Sequence, residues 1–246
     1  MSEDPDGDPY GEATAEFYDL LATGMWESFG PALGRLLADV DPAVGPVIDL
    51  GAGTGAGIAY IHAAVPSARI VAIEPSRAMR VALHARLAGD AELRGLVSVV
   101  PLPFDEAAVP GTICALVASA VLGHPDAAAR GTLWRVLAHR LAPGAPAVIG
   151  VLPPERPEVV PLTRYRAIPV GEHVYEGWME AAVVDDRRMR WTMSYRMLAG
   201  DRVIYERRAS SDWLTMSAND VAAEVARVGL DIERPSAEYV VVRRPA

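Results

Sequence analysis

The amino-acid sequence predicts an α/β fold with a mainly parallel sheet, on three observations. Short apolar runs alternate with helical segments between residues 46 and 152. Glycine-rich residues follow the first run at once, and an acid, Glu74, closes the second. After Pro153 a different pattern, in which apolar and polar residues alternate, predicts an inserted antiparallel meander. Strands that alternate with helices build parallel sheets with right-handed crossovers.

The first half of the chain supplies most of the expected sheet. Residues 1–12 are acidic and turn-rich, which predicts a disordered leader. Residues 13–40 have helical spacing, and we expect Gly30 and Pro31 to break them into two helices that form an N-terminal cap. Strands are expected at 46–50, 69–73, 97–100, 114–118 and 147–152, and helices at 57–65, 78–87 and 127–141. Residues 13–152 should therefore form the cap and the core.

Residues 153–213 are expected to form a lid outside that core. Proline-rich residues 153–161 indicate a linker, and strands are expected at 172–184, 188–197 and 202–207. The middle strand places five apolar side chains on one face: Met189, Trp191, Met193, Tyr195 and Met197. Residues 214–246 should return to the core as a helix with Ser217 as its N-cap and Gly229 as its stop, followed by strands at 230–233 and 239–243. These additions give seven strands in the core sheet.

The composition restricts the class of protein and its compartment. The net charge of −9 makes a nucleic-acid partner unlikely, because phosphate binding needs an exposed basic face. No apolar run approaches the roughly 20 residues of a membrane span, and the single cysteine, Cys114, allows no internal disulfide. These features favour a cytoplasmic globular protein. The absence of Lys, with abundant Ala, Val, Pro and Gly, indicates a GC-rich bacterial genome.

The strongest motif is VIDLGAGTG at residues 47–55, where a strand passes into a helix. Glycines permit the tight turn and the close approach of a ligand to the backbone, and the helix start presents free N–H groups. The same residues fit a loose dinucleotide pattern, Gly51-x-Gly53-x-x-Ala56, so NAD stays an alternative. Asp49 favours S-adenosylmethionine (SAM), whose ammonium group an acid can hold. Glu74 follows Gly51 at a spacing typical of an acid on ribose hydroxyls.

The loop, Glu74 and the β/α order resemble class I SAM-dependent methyltransferases, a Rossmann-like family, over residues 47–152. The resemblance implies SAM as the cofactor, with its amino-acid end near Asp49 and the glycine loop and its ribose on Glu74. It implies further contacts from residues on both sides of these motifs. The complete cofactor set is Tyr18, Asp49, Gly51, Ala52, Gly53, Gly55, Glu74, Pro75, Met79, Phe104, Asp105, Ser119 and Ala120.

Several members of this set have an equally simple structural interpretation. Met79 is either an adenine contact or an ordinary core methionine. Asp105 is either an acceptor for the adenine amino group or part of a capped surface turn, and Phe104 replaces the glycine that usually precedes that acid. Cys114 stands where the fourth strand of the family usually carries an acid. Ala120, in the methyl-donor pocket, offers no polar side chain, so the chemistry must come from elsewhere.

Three residues are candidates for catalysis. An acceptor hydroxyl or ammonium must lose a proton, which histidine can take near neutral pH. His124 follows the fourth strand at the edge where ligands bind, and His173 opens the meander. Tyr18 lies where many small members of the family place an N-terminal helix over SAM. Loop packing and core packing are the alternatives for all three, and no histidine or cysteine pair has metal-ligand spacing.

The lid is rich in aromatic residues, and four are candidates to contact a flat substrate: Tyr175, Trp178, Trp191 and Tyr195. The alternatives are a lid core or a homodimer interface. The resemblance implies O- or N-methylation of a small molecule in natural-product tailoring, with C-methylation also possible. Three other functions stay open: a SAM-binding enzyme that catalyses dehydration or cyclisation, an NAD-dependent oxidoreductase, and a non-catalytic partner with a relict site. The methyl acceptor is not specified, since fold does not fix specificity.

Overall fold

The computed structural model describes residues 10–109 and 111–245, apart from the side chain of Thr23. Of the expected leader, residues 1–9 lie outside the described part, as does Pro110. Tyr10 and Gly11 lead directly into helix α1 (Glu12–Leu21), so the helical cap begins before residue 13. Helix α2 (Thr23–Leu37) completes the cap.

The two cap helices separate at Ala22, and the expected break at Gly30 and Pro31 is wrong, since Pro31 lies inside α2. Gly30 has a packing role instead. A Cβ atom at this position would lie 2.2 Å from the ring of Tyr60, so the glycine allows α2 to approach the following helix closely.

The core elements then follow in the expected alternation. In chain order they are β1 (Val47–Leu50), α3 (Ala56–Ala64), β2 (Ile70–Ile73), α4 (Arg77–Gly89), α5 (Ala91–Leu96), β3 (Val97–Val100), β4 (Ala115–Ala118), α6 (Ala127–Arg140) and β5 (Pro146–Gly150). Only the short helix α5 was not expected from the sequence. Its start is capped by Asp90, whose carboxylate accepts from the backbone N–H groups of Glu92 and Leu93.

The insertion is a four-stranded antiparallel sheet formed by β6 (Val160–Val170), β7 (His173–Val183), β8 (Arg188–Ala199) and β9 (Arg202–Leu214), in that spatial order. The meander was expected, but its first strand was missed, because residues 153–161 were assigned to a linker. Prolines 161 and 169 lie in β6, which is an edge strand, where a missing N–H donor is tolerated.

The chain returns to the core as α7 (Ala218–Ala226), β10 (Asp231–Glu233) and β11 (Tyr239–Arg243). Ser217 caps α7 as expected, in a capping box with Asp220, and Gly229 adopts a positive φ beyond the helix end. The seven-stranded order is β10-β11-β5-β4-β1-β2-β3, with β11 antiparallel to both of its neighbours. The expected fold class is therefore confirmed: a Rossmann-like sheet, a helical cap and an inserted antiparallel sheet.

Helices cover both faces of the core sheet. The two faces of β1 pack into different hydrophobic clusters. Ile48 packs with Trp134 of α6 and Val221 of α7, and Val47 packs with Leu33 of α2 and Ile58 of α3. The strands are buried on both faces, as in other parallel sheets. The free carboxyl ends of β1, β2 and β4 therefore meet at one edge, where the candidate site lies.

Candidate functional site

The glycine loop leaves β1 at the carboxyl edge of the sheet. Gly51, Gly53 and Gly55 have φ values of 67°, 56° and 80°, a left-handed conformation that other residues rarely adopt. A Cβ on Gly51 would also lie 2.5 Å from the side chain of Val121. The N–H groups of Gly51 and Ala52 both bond the Ile73 carbonyl, which fixes the loop against the end of β2. The sequence motif thus forms a rigid backbone cradle.

Asp49 lies below this cradle, on β1. Its side chain is almost wholly buried, and its Oδ2 atom has no hydrogen-bond partner among the described residues. Burial raises the pKa of Asp49 to about 7, and the nearby charge of Glu74 adds to the shift. An unpartnered buried carboxylate is costly unless a cation or a donor reaches it. The arrangement therefore fits a ligand ammonium group.

Glu74 ends β2 and is tied to the loop. Its Oε2 accepts from the Gly53 N–H at 2.8 Å, and its Oε1 accepts from the Ser76 N–H at 2.7 Å. An ionised carboxylate has about four lone-pair sites, so it can accept several hydrogen bonds at once. Glu74 is therefore held in a fixed orientation next to the cradle, as a residue that binds two ribose hydroxyls requires.

Helix α1 lies against the glycine loop. The carboxylate of Asp19 accepts a short hydrogen bond from the Thr54 hydroxyl and, at 2.8 Å, one from Nη2 of Arg86 in α4. Arg86 also donates from Nε to the Thr54 carbonyl at 3.1 Å. The preceding residue, Tyr18, faces the acids of the site. Burial first, then the charges of Tyr195, Asp19, Glu74 and Asp49, raises the pKa of Tyr18 to about 12. Its phenol is therefore neutral at physiological pH.

His124 lies in the loop after β4, between two aromatic rings. Its Nε2 atom is 3.0 Å from the hydroxyl oxygen of Tyr10, and its ring meets the Trp213 ring edge-on with centroids 4.7 Å apart. Gly123 makes this contact possible, since a Cβ there would lie 2.1 Å from the Trp213 ring. Loss of water around the imidazole lowers the pKa of His124 to about 4, although part of the side chain stays exposed. His124 is therefore neutral near pH 7.

His173 does not join His124. It lies at the start of β7, where it pairs with Val170 and Ala199, whereas Trp213 lies near the opposite end of the same sheet. At about 3.3 Å per residue, the ten-residue step along β7 separates the two ends by roughly 30 Å. His173 and His124 therefore do not form one catalytic pair, and the expectation that His173 faces the site from above stays a prediction.

The four lid aromatics do not share one face. Tyr175 and Tyr195 pack on Phe17 of α1, with ring centroids 5.6 and 5.3 Å apart from it, and Trp191 has the same strand parity as Tyr195. Trp178 has the opposite parity. It donates from Nε1 to Glu176, and the guanidinium of Arg196 lies 5.2 Å from its ring. Trp178 therefore lies among charged side chains on the sheet face opposite to Tyr175 and Tyr195, and a shared substrate face for all four aromatic residues is wrong.

The remaining cofactor candidates surround the same edge with differing exposure. Met79 is buried with 1% of its surface accessible, Pro75 is exposed, and Ser119 is half-buried at the end of β4. Phe104 packs partly against the core, and Asp105 is exposed in a turn after β3. Ala120 has a φ of 54°, an unusual value for a residue other than glycine. Strained backbone of this kind clusters at functional sites.

Sequence reasoning missed four residues that the structure places here: Tyr10, Asp19, Thr54 and Trp213. Tyr10 was assigned to the leader, yet its carbonyl also accepts from the Ser76 hydroxyl at 3.3 Å. Thr54 lies within the recognised glycine motif, and its place in that motif is the sequence signal that could have identified it. Trp213 and Asp19 are distant in sequence from their partners, and no local pattern indicates those contacts.

Several solved structures share this architecture. DesVI of Streptomyces venezuelae is 17% identical, with a TM-score of 0.74 over 94% of this chain and 98% of that one. The sugar N-methyltransferase KedS8 from Streptoalloteichus sp. ATCC 53650 is 19% identical, with a TM-score of 0.72 over 100% and 99%. SAM-bound CalS10, an amino pentose methyltransferase from Micromonospora echinaspora, is 16% identical, with a TM-score of 0.73 over 92% and 96%. The chain has the fold of these methyltransferases.

Comparison with family models gave no match, and no curated protein matched the sequence. Within residues 10–109 and 111–245, no group of three or more His, Cys, Asp or Glu side chains is arranged to hold a metal ion. No helix in the described part of the chain is both long and apolar enough to cross a membrane.

Proposed function

We propose that the protein is a SAM-dependent methyltransferase that acts on a small molecule in natural-product tailoring. The observation that carries the proposal is the buried Asp49 carboxylate, whose Oδ2 atom lacks a partner within the described residues, below a glycine loop in left-handed conformation. An ammonium group satisfies that oxygen. NAD has no such group, so the dinucleotide alternative leaves Asp49 without a counter-ion.

The residues present fit SAM. Asp49 and the N–H groups of the glycine loop would hold its amino-acid end, and Glu74 would accept from its ribose hydroxyls. Met79, Phe104, Asp105, Ser119 and Ala120 are proposed to surround its remaining atoms. SAM supplies an electrophilic methyl group, so the protein has to align the acceptor and exclude water.

The proton of the acceptor is proposed to pass to His124. Its imidazole is neutral, and Nε2 already hydrogen-bonds a hydroxyl, that of Tyr10, in this structure. An acceptor N–H or O–H in the place of the Tyr10 hydroxyl would lie within hydrogen-bond distance of Nε2 of His124. Tyr18, neutral and close to Glu74 and Asp49, is proposed to orient the acceptor by hydrogen bonding and not to act as a base.

An amine is the first acceptor to test. KedS8 is named as a sugar N-methyltransferase and CalS10 as an amino pentose methyltransferase, and both share the fold over more than nine-tenths of this chain.

We propose further that Tyr175, Trp191 and Tyr195 belong to a lid over the acceptor, and that the lid also forms a homodimer interface. We propose that the enzyme is a cytoplasmic bacterial protein without a nucleic-acid partner.

Calorimetry with SAM and S-adenosylhomocysteine (SAH) tests the cofactor. Glu74→Ala is expected to weaken binding at least about tenfold, because it removes charge-assisted hydrogen bonds to the ribose. Glu92→Ala, an exposed acid on α5, is the matched control and should bind normally. Equal affinity of the Glu74 variant and the wild type would contradict the ribose assignment. Failure of the wild type to bind either compound would contradict the proposed function.

An acceptor screen with detection of SAH tests the reaction. His124→Ala should lower turnover and leave the affinity for SAH nearly unchanged. Full activity of this variant across pH would exclude His124 as the base. Product formation that requires SAM but releases no SAH would favour the dehydration or cyclisation alternative.

A further inference from the structure

Asp19 joins three separate segments of the chain. It lies on α1, and its carboxylate accepts from the hydroxyl of Thr54 in the glycine loop and from Arg86 on α4. Arg86 in turn donates to the Thr54 carbonyl, so the contacts form a closed triangle. No recognised motif includes Asp19, and the mechanism above does not use it.

The contact between Asp19 and Thr54 lies in the left-handed part of the glycine loop. Thr54 is buried, with 1% of its surface accessible, and lies between Gly53 and Gly55, both of positive φ. Glu74 holds the loop at the neighbouring Gly53 N–H. The conformation of the loop is therefore fixed from two directions, by Glu74 and by Asp19 with Arg86.

Two other side chains of α1 contact the lid. Phe17 stacks on Tyr195, and Glu16 accepts from the hydroxyl of Tyr205 at 2.9 Å. Asp19 thus reaches the glycine loop, whereas Glu16, an acid of the same helix, reaches Tyr205 of the lid. This division supplies a matched pair of residues for an experiment.

We propose that Asp19 is a positioning residue that couples the docking of α1 to the conformation of the glycine loop. When the Asp19 contacts break, helix and loop loosen together, and the nucleoside cofactor exchanges faster. The coupling stands on the contacts alone, whereas its effect on cofactor exchange rests on the proposed function.

Hydrogen exchange of the ligand-free protein, followed by mass spectrometry, tests the coupling. Asp19→Asn removes the charge at nearly constant shape, and peptides from α1 and from residues 50–57 should both exchange about tenfold faster, the scale of a hydrogen bond to a charged group. Glu16→Gln should leave the loop peptide unchanged. Thr54→Val removes the hydroxyl from the other partner and should reproduce faster exchange in α1.

Loss of protection in α1 alone, with an unchanged loop peptide in Asp19→Asn, would overturn the coupling. So would normal α1 exchange in Thr54→Val. These readouts need no cofactor, so they decide the proposal even if the wild type fails to bind SAH, a result that would contradict only the proposed function.

Stopped-flow displacement of SAH gives the second readout. Asp19→Asn should raise the SAH dissociation rate about tenfold, and Glu16→Gln should not. Equal dissociation rates in Asp19→Asn and the wild type would show that the contact does not govern cofactor exchange, even where hydrogen exchange reveals coupling.

Discussion

At the scale of single residues, the ionisation of Asp49 should control cofactor affinity. Its pKa of about 7 means that the carboxyl is largely protonated below neutral pH and then cannot hold an ammonium group. SAH affinity should fall up to about tenfold for each pH unit below about 7, and Asp49→Asn should remove this dependence. Calorimetry at several pH values checks this, and a pH-independent affinity of the wild type would contradict it.

The same shift predicts how the stability of the ligand-free protein changes with pH. A folded-state pKa above the ordinary value of 3.8 means that ionisation of Asp49 lowers stability as pH rises through about 7. Asp49→Asn should therefore raise the melting temperature at about pH 8 more than at about pH 5. An equal change in melting temperature at both pH values would show that Asp49 does not ionise near pH 7.

Ala120 carries backbone strain that a glycine would relieve. Its φ of 54° disfavours any side chain with a Cβ by about 1–2 kcal/mol, and glycine costs roughly 0.5–1 kcal/mol in chain entropy. Ala120→Gly should therefore raise the free energy of unfolding by up to about 1 kcal/mol in urea denaturation. Ala118→Gly, two residues earlier in β4, is the control and should lower it. Destabilisation by both variants would show that φ does not govern the effect.

Residues whose position in the fold depends on local spacing were predictable. The glycine motif, Asp49 and Glu74 follow from the strand-to-helix transition, and His124 follows from its place after β4. Tyr10 and Trp213 were not predictable, because their contacts with His124 join segments far apart in sequence. A local pattern carries no information on such pairs.

At the scale of elements, close packing of α2 on α3 should depend on Gly30. Its missing Cβ accommodates the Tyr60 ring, whereas Gly34, in the same helix, has nothing within 4 Å of an added Cβ. Gly30→Ala should destabilise by about 1–3 kcal/mol through overpacking. Gly34→Ala should stabilise by up to about 1 kcal/mol through helix propensity. Thermal and urea denaturation check both, and changes of the same sign would contradict the packing account.

The errors in element prediction have a physical cause. Pro31 removes one hydrogen-bond donor, and the packing of α2 against the core outweighs that loss, so the helix continues. The prolines of residues 153–161 suggested a linker, but pairing with β7 on one side only is enough to make Val160–Val170 an edge strand. In both cases contacts with other elements of the fold determine the local structure, and a local sequence pattern does not show those contacts.

At the scale of the whole molecule, a buried ion pair joins the parts of the core on either side of the lid. Arg130 of α6 donates from Nε and Nη2 to Glu224 of α7, which also accepts from Trp134 at 2.7 Å. Arg130 further donates to the Pro125 carbonyl, next to His124. The network therefore links the returning helix α7 to the loop that carries His124.

Breaking one half of this pair should be costly. Arg130→Met leaves Glu224 without its counter-ion in a largely buried place and should destabilise by about 3 kcal/mol, and adding Glu224→Leu should recover part of that. Arg190→Met, at the exposed pair with Asp212, should leave stability nearly unchanged. Chemical denaturation of the four proteins checks this. A double variant less stable than Arg130→Met would contradict the pairing account.

The position of β11 has a consequence for synthesis on the ribosome. This strand pairs with β5, but β6 to β9, α7 and β10 are all translated in between. Until β11 emerges, β5 presents an unpaired apolar edge, and at about 5–20 residues per second that interval lasts several seconds or more. The nascent chain should therefore depend on chaperones during this interval, and slowing translation within the insertion should increase its aggregation.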